Sequence, residues 1–128
     1  MKILFKNPAN DKAETADKKN LAKHLAKKTI NIIVKFDTEK IIGLSEVKRL
    51  LSLYKEMLDI IKSPKDRKTI GGNFNFLMSN RIENFDLTFI AALSLFKFSF
   101  EKIVVRLDFG EQSKNPEASE CFFRFGQF

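Results

Sequence analysis

The sequence has little of several residue types, and each scarcity excludes a class of site. It contains no tryptophan, one tyrosine, one histidine and one cysteine among 128 residues. Cys121 alone cannot form an internal disulfide and leaves no set of thiolates for a zinc cluster. His24 alone supplies neither a metal site nor a His-dependent catalytic triad. We therefore expect no cofactor, no metal ion and a reducing compartment, either the cytoplasm or an organelle matrix.

Long hydrophobic runs are also absent. No segment approaches the roughly 18 uninterrupted apolar residues of a membrane span. The nearest candidate, Phe85 to Phe100, is too short and carries Asp86 and Lys97. The opening MKILFKNPAND becomes polar after Phe5, which predicts no secretory signal. With 44% hydrophobic and 30% charged residues, the chain has a globular composition. Its abundance of Phe, Lys, Ile and Asn is typical of an AT-rich genome.

Positive charge is concentrated near the N-terminus. The net charge is +7, and residues 1–35 hold nine lysines against three acidic residues. Residues 36–128 are nearly balanced, with 14 basic and 13 acidic residues. This division predicts a basic N-terminal arm, residues 1–29, followed by a single α/β domain, residues 30–128.

The N-terminal arm is predicted to contain one strand and one helix. MKILF is typical of a short strand, and the segment 11–29 favours a helix through its alanines, lysines and leucines. The apolar stripe of that helix would be Leu21, Ala22, Leu25 and Ala26. Its lysines recur every four residues on another face. Two interpretations are open. The helix contacts phosphate groups or an acidic partner, or it is a solvated surface helix with no such role.

The predicted contacts for nucleic acid or an acidic partner lie in two basic segments. The first is the N-terminal helix. The second is the loop PKDRKTIGGN, where Gly71-Gly72 indicates a turn or bulge and the spacing of a phosphate-binding loop is missing. Together these contacts are Lys18, Lys19, Lys23, Lys27, Lys28, Lys65, Arg67 and Lys68.

From residue 30 onward, strand and helix patterns alternate. INIIVKF, residues 30–36, is typical of a strand buried on both faces. An amphipathic helix follows, with Ser45 as its predicted N-cap and Pro64 as its stop. The alternating NFNFLM predicts a strand, and KIVVRLDF predicts the last strand of the alternation.

The segment 85–100 between those two strands favours a helix that begins near Asn84 or Asp86. The buried side of this helix is predicted to be Phe85, Phe89, Ala92, Leu93 and Phe96. The complete order predicts an α/β fold: a small β-α-β-α-β sandwich with a mostly parallel or mixed sheet and a basic N-terminal helix.

The segment NFNFLMSNRIENFDLTFIAAL resembles the STAS-like domains, the fold of anti-sigma-factor antagonists and of the cytoplasmic tails of anion transporters. In that family an apolar strand and a short turn with an aspartate precede a helix that opens with small residues. Asp86 stands in the aspartate position and IAAL, residues 90–93, opens the helix. The resemblance covers residues 30–109 and departs from the family at Phe89, where glycine is usual, and at Leu87, where a hydroxyl residue is usual. It implies a non-catalytic partner-binding module, with Thr88 near the position phosphorylated in switching members.

Phenylalanine is concentrated in the second half of the chain and indicates a partner-binding edge. Twelve of the 14 phenylalanines fall between residues 74 and 128, and the sequence closes on CFFRFGQF, a predicted edge strand. An exposed aromatic edge needs a cover, either a partner protein or a following domain. The candidate edge residues are Phe122, Phe123, Phe125 and Phe128.

Two functions follow from these patterns, and neither is catalytic. Asp108-Phe109-Gly110 spells the magnesium-binding triplet of kinases, but the other kinase motifs are missing. We expect a non-catalytic interaction module, or a small subunit of a larger assembly, that binds a partner protein. The alternative is an RNA-binding subunit of a ribonucleoprotein that uses the basic N-terminal arm.

Overall fold

Seven strands and four helices make up the part of the chain that the structure describes. The computed structural model describes residues 1–6, 13–15, 17–36, 39–78 and 82–108. In chain order the elements are β1 (Lys2–Lys6), β2 (Ala13–Thr15), α1 (Lys18–Ala26), β3 (Thr29–Lys35), β4 (Ile41–Ile42), α2 (Leu44–Ile60), α3 (Pro64–Arg67), β5 (Gly71–Leu77), β6 (Asn84–Phe85), α4 (Leu87–Ser99) and β7 (Ile103–Asp108).

Among the described residues, the main sheet is mixed and has five strands in the order β2-β1-β3-β5-β7. Strands β3, β5 and β7 run parallel, and β1 is antiparallel to both of its neighbours. Helices α2 and α4 are the crossovers between the parallel strands. A second small sheet pairs β4 with β6 in parallel. The predicted α/β fold with a β-α-β-α-β core is confirmed.

The helices cover one face of the main sheet, and the hydrophobic core lies between the two layers. The register aligns Ile32 with Phe74 and Phe74 with Val105, so these three side chains share the core face. Strand β5 meets α4 through aromatic contacts, with ring centroids of Phe74 and Phe96 4.8 Å apart. The prediction that residues 30–36 are buried on both faces is wrong, because Asn31, Ile33 and Lys35 are only partly buried on the opposite face of β3.

The segment 11–29 is not one continuous helix, contrary to the prediction. Residues 13–15 form β2, which pairs with β1 as a hairpin, and α1 begins only after Asp17. The Asp17 carboxylate accepts a hydrogen bond from the Asn20 N–H at 2.8 Å and so caps the helix. The hairpin partner supplies strand hydrogen bonds that outweigh the helix preference of Ala13 and Glu14.

The segment before residue 29 packs into the same core as the segment after it. Phe5 on β1 is fully buried, and α1 buries Leu21 and Leu25. The third buried side chain of α1 is His24, whose ring stacks on Phe5 at 4.9 Å. The predicted stripe is therefore wrong in its alanines, since Ala22 and Ala26 are exposed. The division predicted at residue 29 falls between α1 and β3, within one packed body.

Two predicted helix and turn positions differ in the structure. The N-cap of α2 is Gly43 and not Ser45, and the Glu46 carboxylate accepts a hydrogen bond from the Gly43 N–H at 3.0 Å. The segment PKDRKTIGGN is not all loop, because Pro64–Arg67 forms α3. Gly71 and Gly72 form the start of β5 and not a turn.

Candidate interaction surfaces

Six exposed apolar side chains lie on the helical layer and on the short strand that leads into it. They belong to β4, α2 and α4, and we call them the apolar face: Ile41, Leu44, Leu51, Leu87, Leu95 and Phe98. Val104 on β7 is the only other large apolar side chain that is exposed in the described part of the chain. Large exposed apolar patches mark interaction sites on small proteins.

Helix α4 is apolar on both of its sides, which is why it contributes three residues to the apolar face. Its buried side is Phe89, Ala92, Leu93 and Phe96, which are four of the five predicted residues. The fifth, Phe85, was wrongly placed in this helix: it lies in β6 and is only partly buried. On the opposite side Leu87 is 67% exposed and Phe98 is 82% exposed. A helix that is apolar all round is normally buried all round. One side of α4 lacks such a cover within the described residues.

The two crossover helices start side by side at the carboxyl ends of the parallel strands. The parallel pairing of Ile41 with Asn84, and of Ile42 with Phe85, sets the chain before α2 beside the chain before α4. The first helical residues, Leu44 and Leu87, are therefore equivalent positions of two adjacent units, and both are exposed. This arrangement places two leucines of the apolar face at neighbouring helix ends.

A carboxylate caps the N-terminal end of each of the two helices, α2 and α4, and the pKa of each carboxylate is lowered. Burial alone would raise the pKa of Glu46, but hydrogen bonds from the Ser45 hydroxyl and from backbone N–H groups outweigh it. The Thr88 hydroxyl and the Thr88 N–H both donate to Asp86 Oδ1, at 2.6 and 2.9 Å, and lower the pKa of Asp86. Both carboxylates are thus held ionised at the helix ends.

Further along, α2 and α4 are joined by a polar and an aromatic contact. The Tyr54 hydroxyl and the Ser99 hydroxyl are hydrogen-bonded at 2.6 Å. The Tyr54 ring also meets the Phe96 ring edge-on, with centroids 5.3 Å apart. These contacts fix the two helices against each other, so that their outer surfaces form one platform.

The predicted basic contacts on α1 are exposed where the structure describes their side chains. Lys19 and Lys23 on α1 are exposed, as are Lys27 and Lys28 just after it. The Lys18 side chain lies outside the described part. This exposure leaves the predicted cationic face of α1 accessible.

The second predicted basic cluster lies beside the end of α1. The Gly71 N–H donates to the Lys28 carbonyl oxygen at 3.0 Å, which brings the segment after α3 against the turn after α1. Lys65 and Lys68 are exposed. Arg67 has a structural role, because its guanidinium donates to the carbonyl oxygens of Ile61 and Lys62 at 2.6 and 3.0 Å. The fold thus joins two clusters that are about 40 residues apart in sequence.

The open face of the sheet carries no aromatic platform within the described strands. Phe5, Phe74 and Phe76 all point into the core. The open face instead presents an asparagine pair, in which Asn73 Nδ2 donates to Asn31 Oδ1 at 3.2 Å. These strands therefore offer no aromatic ring on the open face on which a base could stack, as bases do on RNA-reading sheets.

Several predicted residues lie outside the described part of the chain. They are Cys121 and the candidate edge Phe122, Phe123, Phe125 and Phe128. Within the residues that are described, no group of three or more His, Cys, Asp or Glu could hold a metal ion. No helix there is long and apolar enough to cross a membrane.

Comparison with family models, with curated proteins and with solved structures finds no match for this chain.

The sequence did not identify the apolar face in advance. The only signal in the sequence was the apolar content of α4, which continues through Leu95 and Phe98 on the side opposite the predicted core residues. A buried helix and a half-exposed one share that pattern, so periodicity alone does not separate them.

Proposed function

We propose that this protein is a non-catalytic interaction module that binds a partner protein through the apolar face. The observation that carries the proposal is the outer side of α4, where Leu87 and Phe98 are largely exposed on a well-packed helix. Large exposed apolar side chains on a rigid element are the usual anchors of protein interfaces. The predicted edge at Phe122–Phe128 is a second contact region in the same proposal.

The STAS-like resemblance is compatible with this proposal. The resemblance predicts an apolar strand and an aspartate before the helix, and the structure has β5, β6 and then α4, with Asp86 as the N-cap of α4. The exposed Thr88 lies beside that cap and is the residue through which such a module would be regulated. In this proposal the protein works through surface contact and carries out no reaction.

Photocrosslinking at the apolar face tests the proposal. A benzophenone amino acid would replace Leu87 in cells that contain the chain, with the same replacement of exposed Arg106 on the opposite side of the sheet as the control. We expect one protein to be trapped from position 87 and not from position 106. Trapping of a second copy of the chain would indicate self-association instead, and equal products from both positions would contradict a specific surface.

The affinity of the trapped protein for purified variants provides the quantitative test. Leu44→Ser combined with Leu87→Ser should weaken binding by tenfold or more, because burial of each leucine contributes about 1.5–3 kcal/mol. Val104→Ser, which changes an exposed apolar residue on β7, is the matched control and should leave the affinity unchanged. Calorimetric titration of each variant would measure the difference.

A further inference from the structure

The amino ends of the three parallel strands bring separate basic segments together along one edge of the fold. Thr29 pairs with Gly71, and Gly72 pairs with Ile103, so β3, β5 and β7 start beside one another. The segments before these starts are the turn after α1, the region around α3 and the turn after α4. Adjacent strands lie about 4.8 Å apart, so the first residues of β3 and β7 are separated by roughly 10 Å.

Exposed lysines dominate these segments. We call them the basic edge: Lys27, Lys28, Lys62, Lys65, Lys68 and Lys102. Asp66 and Glu101 lie in the same segments and are also exposed, so positive charge prevails three to one. Lys97 and Arg67 are nearby, but they bind backbone carbonyls at the ends of helices. In the described part of the chain, no such bond holds the ammonium groups of the basic edge.

An exposed aromatic ring lies at the end of α4 that leads into the basic edge. Phe98 lies in the last turn of α4, four residues before Lys102, and is 82% exposed. Rings beside flexible cations are the elements with which proteins hold single-stranded nucleic acid: the cations contact phosphates and the ring stacks on a base. Lysines act as point charges on phosphate and carry no base-reading geometry.

We propose that the basic edge, together with Phe98, binds single-stranded nucleic acid without sequence preference. The site shares Phe98 with the apolar face but is separate from Leu44 and Leu87, which lie at the opposite ends of α2 and α4. The lysines of the site come from three segments that are far apart in sequence and are brought together by the register of the strands. It therefore extends the cationic region beyond the N-terminal arm.

Fluorescence anisotropy with a labelled 20-nucleotide oligouridine, at several salt concentrations, tests the site. The variant Lys27→Gln, Lys65→Gln, Lys68→Gln removes three contacts and should bind more weakly. The slope of log affinity against log salt should shrink by about 2, since each phosphate contact on a single strand contributes about 0.7. The matched control is Lys40→Gln, Lys48→Gln, Lys55→Gln, which removes three exposed lysines outside the basic edge and should keep the slope.

Further arms separate the sources of binding. Phe98→Ala should weaken binding of oligouridine by about fivefold or more, because stacking on one ring contributes about 1–3 kcal/mol, and should leave binding of a duplex of equal length unchanged. Leu87→Ser should leave the binding of both oligouridine and the duplex unchanged. The proposal is overturned if both lysine variants lose affinity equally, if oligouridine does not bind, or if only polyglutamate or anionic vesicles bind.

Discussion

Gly72 occupies a position in β5 where a side chain has no room. Its φ is +127°, a conformation that L residues rarely adopt, and a Cβ there would lie 1.8 Å from the Ile30 carbonyl oxygen. The neighbouring Gly71 has ordinary backbone geometry and open space around its Cβ position. The two glycines therefore have different roles although they are adjacent.

We expect Gly72→Ala to destabilise the fold by several kcal/mol or to prevent folding, because the backbone of β3 would have to move away from β5. Gly71→Ala should change the free energy of unfolding by about 1 kcal/mol or less. Urea unfolding followed by circular dichroism measures both. Equal losses in the two variants would show that φ and the contact with Ile30 are not the cause.

Lys28 is the only non-glycine residue with a positive φ in the described part of the chain, at 58°. It follows Lys27, the C-cap of α1, and so occupies the position where helices often end on glycine. A left-handed conformation costs a lysine roughly 1–2 kcal/mol relative to its right-handed one.

Lys28→Gly should therefore raise the free energy of unfolding by about 0.5–1 kcal/mol. Lys27→Gly is the control, because Lys27 has ordinary helical geometry and glycine there should lower stability by a similar amount. Thermal denaturation of both variants gives the comparison. A loss of stability in Lys28→Gly would mean that the lysine side chain itself stabilises the turn.

Asp86 links the stability of α4 to pH. Its lowered pKa, caused by hydrogen bonds from the Thr88 hydroxyl and then the Thr88 N–H, means that the folded state favours the ionised carboxylate. The resulting stabilisation is fully present above the ordinary aspartate pKa near 3.8 and is lost as the pH falls below it.

Asp86→Asn isolates this contribution, since asparagine also caps helices but does not titrate. The wild-type protein should be the more stable of the two at pH 6, and the difference should shrink between pH 4 and pH 2. Urea midpoints at these pH values test the prediction. Other carboxylates titrate in both proteins and cancel in the comparison, so a constant difference would contradict it.

At the scale of the element, α4 has two apolar sides with different energetic roles. The Phe96 ring is buried and contacts the rings of Phe74 and Tyr54, whereas Phe98, two residues later, is mostly in water. Burial, and not residue type, determines what each phenylalanine contributes to stability.

Phe96→Ala should cost about 3–5 kcal/mol through the lost burial and the cavity. Phe98→Ala should change the free energy of unfolding by about 0.5 kcal/mol or less, although it weakens the binding of oligouridine. Chemical denaturation of the two variants, at matched protein concentration, measures both changes in the free energy of unfolding. A large loss for Phe98→Ala would place that ring in an intramolecular contact.

The sequence specifies most of the elements, and its failures have identifiable causes. The periodic segments of α2 and α4 and the strands β3, β5 and β7 are predicted, because each has a clear apolar pattern. Residues 13–15 were assigned to a helix, since the local preference of Ala13 and Glu14 does not reveal the pairing with β1. The candidate surfaces depend on register and on which helix side is covered, and neither is encoded in a local pattern.

At the scale of the whole molecule, β1 and α1 are part of the packed fold. Phe5, Leu21 and Leu25 supply fully or almost fully buried side chains to the common core. Deletion of residues 1–28 should therefore abolish cooperative unfolding. Without β1, one side of β3 has no hydrogen-bonding partner, and the core is exposed to water. Lys19→Gln combined with Lys23→Gln removes the charge alone and should unfold cooperatively, as judged by urea denaturation. A truncated chain that unfolds cooperatively would support a separable arm.

The strand order also bears on how the chain assembles as it is synthesised. β1 pairs with β2 on one side and β3 on the other, and then β5 joins β3 and β7 joins β5. Each new strand thus adds to an existing border, and none has to insert between two that are already joined. A nascent chain can therefore extend this sheet progressively while it leaves the ribosome, and β7 is the last of the described strands to join it.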